Sequence, residues 1–165
     1  MRYAKIVFLG LFIVSALGFQ SRKASNFKLT DLDGNTVELQ ELLKKGPVLL
    51  DFWATWCKPC IKAFPELEAL HQKYKKRGLQ VVGVNEDTHM KPKQLRAFLK
   101  KMKATFLILL DKNNAVMQRW QVQVLPTTFL IAQDGRILMK QVGYSSNAVK
   151  KMEAEIEKYL KQMKP

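Results

Sequence analysis

The sequence predicts an α/β domain: a mixed central sheet, helices on both of its faces, and an N-terminal β-hairpin extension. Three observations lead there. The runs "VLLDFWA" and "LQVVGV" read as strands buried on both faces, and each is followed by a segment with helical spacing. Ahead of them, "FKLTDLDGNTVEL" carries a hairpin signal at Asp33-Gly34. The chain then closes with two strands about Asp134-Gly135 and a last amphipathic helix.

Each element has its own signal. Two short strands flank Asp33-Gly34, and a short helix, "ELQELLKK", stops at Gly46-Pro47. "VLLDFWA" (48–54) is the first central strand. Over 57–77, Ile61, Phe64, Leu67, Leu70 and Tyr74 recur at helical spacing until Gly78 ends the element, and Pro65 inside it predicts a kink. "LQVVGV" (79–84) is the next strand. Leu95, Phe98, Leu99 and Met102 fall at i, i+3, i+4 and i+7 and mark another helix. "TFLILL" is a strand, followed by a turn at 111–114 and a short helix over 115–120. "TTFLIA" and "ILMKQVG" form an antiparallel hairpin, and Val149, Met152, Ile156, Leu160 and Met163 stripe the final helix.

A chain of 165 residues holds one ordinary core and is too short for two. With 47% hydrophobic and 25% charged residues it is not a disordered chain. Lys and Arg number 28 against 14 acids, a formal charge of +14. The lysines are spread in doublets over several predicted helices (Lys75-Lys76, Lys100-Lys101, Lys150-Lys151). Solvated helix faces look like this, and a nucleic-acid footprint does not.

Arg2 and Lys5 precede "IVFLGLFIVSALGF", and no charge falls between Ile6 and Ser21. A basic start and an apolar stretch of this length read as a signal peptide, with Ala16 and Gly18 offering the small residues of a cleavage site, or as an uncleaved membrane anchor. On either reading the rest of the chain is exported, and its positive surface faces an anionic membrane.

Both cysteines lie in "DFWATWCKPC". Zinc calls for four ligands, no second thiol pair exists, and His71 and His89 fit no finger spacing. As a structural staple, so short a loop removes little unfolded-chain entropy. A redox dithiol fits the placement. Cys57 comes directly after a buried strand and at the first turn of a helix, where free N–H groups and the helix dipole stabilise a thiolate; Lys58 adds a positive charge. Such chemistry calls for no metal or organic cofactor. Asp51 alternates with Leu49 and Trp53 and so shares their apolar side, where desolvation raises a carboxyl pKa toward the range of proton transfer. Glu86, just past "LQVVGV" at the carboxyl end of the sheet, reads as a solvated loop acid.

"VLLDFWATWCKPC" resembles the active-site segment of the thioredoxin superfamily, and "VLPTTFLI" resembles its second signature, a cis-proline loop facing the dithiol. Together with the exported N-terminus, "LTDLDGNTVEL", "FPELEAL" and "VVGVN", the chain resembles the TlpA/ResA-type extracytoplasmic thiol–disulfide oxidoreductases over 26–161. The resemblance implies a thioredoxin-like fold for 25–165, behind a signal peptide or membrane anchor at 1–24. It implies Cys57 as attacking thiol and Cys60 as the resolving thiol that closes a redox-active disulfide. Asp51 becomes the buried acid that relays a proton to Cys60, and Trp56, Leu125 and Pro126 the substrate-binding surface. It also implies disulfides of exported proteins as substrates and a membrane thiol protein as electron donor. The competing expectation is a non-catalytic module of the same fold that holds a partner or delivers copper. One departure stands out: where some ResA-type members carry a glutamate three residues past the second cysteine, this chain has Ala63. Asp51 is then the acid that takes its place.

Overall fold

The computed structural model describes residues 22–163, so the apolar leader lies outside the described residues. Seven strands form one sheet in the order β2-β1-β5-β4-β3-β6-β7. They are β1 (Lys28–Asp31), β2 (Thr36–Glu38), β3 (Val48–Trp53), β4 (Gln80–Asn85), β5 (Leu107–Leu110), β6 (Thr127–Ile131) and β7 (Ile137–Val142). The helices are α1 (Leu39–Lys45), α2 (Lys58–Tyr74), α3 (Pro92–Met102), α4 (Ala115–Arg119) and α5 (Ser146–Gln162). β3, β4 and β5 run parallel at the centre, while β6–β7 and the β1–β2 hairpin add antiparallel strands on either side. The mixed sheet and the N-terminal hairpin are those the sequence predicts. The folded part also begins slightly ahead of the boundary expected at 25. Lys23 bridges Arg136, and Ala24 N–H donates to the Gly135 carbonyl.

The period of two in β3 decides how the core divides. Leu49 and Trp53 face one layer, where α2, α3 and α5 bring Phe64, Leu67, Leu95, Leu99, Met152 and Ile156. Val48, Leu50 and Phe52 face the other, where α1 and α4 bring Leu39, Leu42 and Val116. All six β3 residues are buried, and burial of each large apolar side chain contributes about 1.5–3 kcal/mol. The α2 helix runs through Pro65 without interruption; Pro65 itself is exposed.

Trp53, the last residue of β3, is wedged among Phe64 (ring centroids 4.5 Å apart), Phe98 (5.9 Å) and the backbone of Gly83. A Cβ at position 83 would stand 2.8 Å from Trp53 Nε1 and 2.9 Å from Ile108 Cδ1. The absence of a side chain at 83 leaves the room that the Trp53 indole edge occupies. Gly83→Ala is therefore expected to cost about 1–3 kcal/mol by overpacking, read as a lower midpoint in urea unfolding. A midpoint equal to wild type would show that Trp53 is free to move.

Candidate functional site

β3 ends at Trp53 and α2 starts at Lys58, so the intervening loop must turn the chain sharply at the carboxyl end of the sheet. Two ties hold it there. Glu86 N–H donates to the Trp53 carbonyl (2.9 Å), and Asp87 accepts from Thr55 N–H (2.9 Å) and from its hydroxyl (2.8 Å). Asn85 Nδ2 donates to Asp87 in turn (2.7 Å). Cys57 then caps α2, its Sγ accepting from Cys60 N–H at 3.2 Å, with Pro59 in the first turn. A sulfur at that position faces the positive end of a 17-residue helix, and that field favours thiolate over thiol.

Cys57 and Cys60 are joined as a disulfide, their Cα atoms 5.3 Å apart. The two sulfurs are not equivalent: Cys57 is 5% exposed and lines an open cleft, whereas Cys60 is fully enclosed. The cleft, about 620 Å³, is walled by Trp56, Pro59, Glu86, Met117 and Leu125. Trp56 is 69% exposed at its mouth, and Val124 is exposed as well. Among the described residues few large apolar side chains are left so far in water; Trp56 lines the dithiol cleft, and Val124 directly precedes Leu125, which lines it too.

The Leu125–Pro126 peptide bond is cis. The loop is secured by Thr127 Oγ1 donating to the Val124 carbonyl (2.6 Å) and Gly143 N–H donating to the Pro126 carbonyl (2.8 Å). Leu125 lines the dithiol cleft. Pro126 is buried and instead lines a small cavity behind it with Ala63 and Thr128.

Asp51 is 1% exposed in the middle of β3. Its Oδ1 accepts from Thr128 Oγ1 at 2.6 Å, directly across the β3–β6 register, and its Oδ2 has no partner among the described residues. Burial raises its pKa to about 7, opposed by the Thr128 hydrogen bond.

Glu86 corrects the sequence reading. It is 3% exposed rather than solvated, and neither carboxyl oxygen has a partner among the described residues. Burial, with the nearby carboxyls of Asp111 and Asp87, raises its pKa to about 9. The cause is distant in sequence: Asp111 N–H donates to the Asn85 carbonyl, and Met117 N–H donates to Asp111, so the start of α4 folds over the end of β4. Thr128 and Asp87 are the other residues holding the site that sequence reasoning missed. Thr128 falls opposite Asp51 only through the β3–β6 pairing, a long-range register that no local signal announces.

A disulfide at a helix N-terminus, one sulfur open to a cleft and a cis-proline loop alongside, defines a thiol–disulfide oxidoreductase of the thioredoxin-like class. The chain belongs to the AhpC/TSA family, whose model matches residues 21–140. It is similar to proteins named thiol-disulfide oxidoreductase ResA. The identity is 36% to one from Bacillus cereus, over 87% of this chain and 78% of that one. It is 37% to that of Geobacillus kaustophilus, over 86% and 76%. Among solved structures, a Chlorobium tepidum protein provisionally described as thiol:disulfide interchange protein DsbE superposes with a TM-score of 0.77 at 34% identity, covering 85% of this chain and 96% of that one.

Both raised carboxyl pKa values carry a stability consequence. Each native group holds its proton more tightly than the unfolded chain does, so stability falls as pH rises from the ordinary carboxyl range through about 7 for Asp51 and about 9 for Glu86. Asp51→Asn and Glu86→Gln should each unfold at higher urea than wild type near pH 8, with the gain disappearing at about pH 4. No gain near pH 8 would mean that the carboxyls are hydrated or paired.

Proposed function

We propose that the protein reduces disulfides of exported proteins through the Cys57/Cys60 dithiol. The observation that carries the reading is the asymmetry of the pair: Cys57 caps α2 inside an open cleft while Cys60 is sealed beneath it. The Cys57 thiolate attacks one sulfur of the substrate disulfide, the mixed disulfide forms, and the other substrate sulfur leaves as a thiolate that takes a proton from water. Asp51, on the side of β3 that faces α2, takes the proton of the Cys60 thiol. Cys60 then attacks Cys57 and releases the second substrate thiolate, so the substrate gains two electrons and the enzyme becomes the disulfide. Trp56 and Leu125, both lining the cleft, supply the apolar contact for an extended substrate segment.

The apolar segment ahead of Arg22 acts as signal peptide or membrane anchor, which puts the domain outside the cytoplasmic membrane, beside an anionic lipid surface. A membrane dithiol protein returns the electrons. We read the direction as reduction because the helix terminus stabilises the Cys57 thiolate only in part: exposed Lys58 is screened, and Asp51, once ionised, opposes a second negative charge nearby.

Three measurements test the scheme. Iodoacetamide should label Cys57 first, with an apparent pKa below the ~8.5 of a free thiol; labelling of Cys60 first reverses the roles. The rate of mixed-disulfide resolution should rise with pH through about 7 as Asp51 ionises, and in Asp51→Asn it should lose that dependence and fall by ~10²-fold or more. A flat profile in wild type retires the relay. Equilibration with dithiothreitol buffers should give a potential nearer ~−270 mV than ~−120 mV, and a value above about −160 mV would make the protein an oxidase or isomerase.

A further inference from the structure

A second cleft, about 450 Å³, lies on the α4 side of the sheet, and its chemistry differs from that of the dithiol cleft. Its rim carries Arg22, Lys23, Arg119 and Lys140, and its floor Trp120, Phe129 and Ile137. None of the four cations forms an ion pair among the described residues. Arg119 reaches only the Asn26 carbonyl (3.3 Å), and Lys140 Nζ stands 5.4 Å from the centre of the Phe129 ring. The Trp120 indole N–H is buried without a partner among the described residues. Unpaired cations around an aromatic and aliphatic floor match the bilayer interface, where phosphates sit above the glycerol and acyl boundary.

The position of the cleft matters as much as its charge. Arg22 and Lys23 are the first described residues, and they are fixed to the sheet: Ile137 N–H donates to the Arg22 carbonyl (3.0 Å), and Lys23 bridges Arg136. The uncharged stretch from Ile6 ends at Ser21, so at ~3.5 Å per residue the cleft stands on the order of 10 Å or less from it. The Lys23–Arg136 bridge lies past the Ile131 end of β6, which pairs with Val48 at the start of β3, whereas the dithiol follows Trp53 at the other end. α4 parts the two clefts: Met117 lines the dithiol side, Arg119 the basic side. Net charge alone does not single this cleft out, since Lys100 also borders a cleft with an apolar floor of Leu99, Phe106 and Ile108. That cleft carries Asp31 and Asp33, with Arg96 paired to Asp33, whereas no carboxylate lines the basic cleft.

We infer that the face formed by Arg22, Lys23, Arg119 and Lys140 rests on an anionic phospholipid surface and turns the dithiol toward water, an inference that rests on the exported, membrane-adjacent reading above. The test is hydrogen–deuterium exchange on the full-length protein reconstituted into phosphatidylcholine vesicles with and without phosphatidylglycerol. Slowed exchange at 22–25, 118–121 and 136–141 is expected only with phosphatidylglycerol and is lost at high salt, while 56–60 is unchanged. Each cation near such a surface is worth about fivefold, so Arg119→Gln with Lys140→Gln should weaken the protection about thirtyfold, and Lys100→Gln with Lys101→Gln should not. Protection on the α3 or α5 face, or equal protection without phosphatidylglycerol, overturns the inference. So does the same footprint produced by glycerol phosphate without vesicles, which would give the cleft to a soluble phosphate ester. Recovery of the protein free of both vesicle types would remove the tether but not the face, which must still leave its footprint when phosphatidylglycerol vesicles are added from outside.

Discussion

Everything at the site depends on β3 being buried on both faces. A strand covered on one side only could shift or bend at its end. This one is fixed by β4 and β6 laterally and by two hydrophobic layers vertically. Its last residue, Trp53, is locked against Gly83 and Phe64, so the chain leaves the sheet at a defined point and in a defined direction. The Asp87 ties to Thr55 carry that precision across the loop to the capping Cys57. Disulfide exchange needs the attacking sulfur, the target sulfur and the leaving sulfur nearly in line, so a loosely held thiol would lose rate through orientation alone.

The same double burial explains why the site is costly. Asp51 occupies a position that an apolar residue would fill with less strain, and Glu86 sits in the wall with both oxygens unpartnered among the described residues. Each is pushed toward its neutral form by desolvation, and neither is rescued by a cation. Stability given up at a few positions around a reactive pair is the usual mark of a working site. The two acids also lie in different places: Asp51 within the sheet against Thr128, Glu86 in the wall of the cleft that Cys57 lines. With its pKa raised to about 9, Glu86 leaves the substrate side free of fixed negative charge at neutral pH.

Much of this was legible in the sequence because the signals were periodic or local. The alternation in "VLLDFWA" places Asp51 on the inner face beside Leu49 and Trp53, and the structure puts it there. The hairpins at Asp33-Gly34 and Asp134-Gly135 announce themselves by turn chemistry, and the cysteine spacing by its position after a buried strand. Glu86 was not legible, since a residue just past a strand is buried or solvated according to what folds over it, and here the cover comes from Asp111 and α4. The basic cleft was hidden for a similar reason: its cations come from positions 22, 23, 119 and 140, scattered along the chain and gathered by topology. Pro65 does not end the helix, since only one bond, to the Ile61 carbonyl, is lost there and the ring lies in solvent.

The rims of the sheet have a bearing on what the protein works with. β2, at one rim, is three residues long and lies beside the α1 helix that follows it directly. β7, at the other, carries Lys140 and Gln141 and shifts register against β6 near Ile131. Short, charged and irregular edges make poor templates for an incoming strand. A protein that opens disulfides loosens its clients and sets some of their strands free. With both rims blunted, a loosened client can meet the dithiol cleft without being annealed onto the sheet, and the enzyme can let go of what it has unlocked.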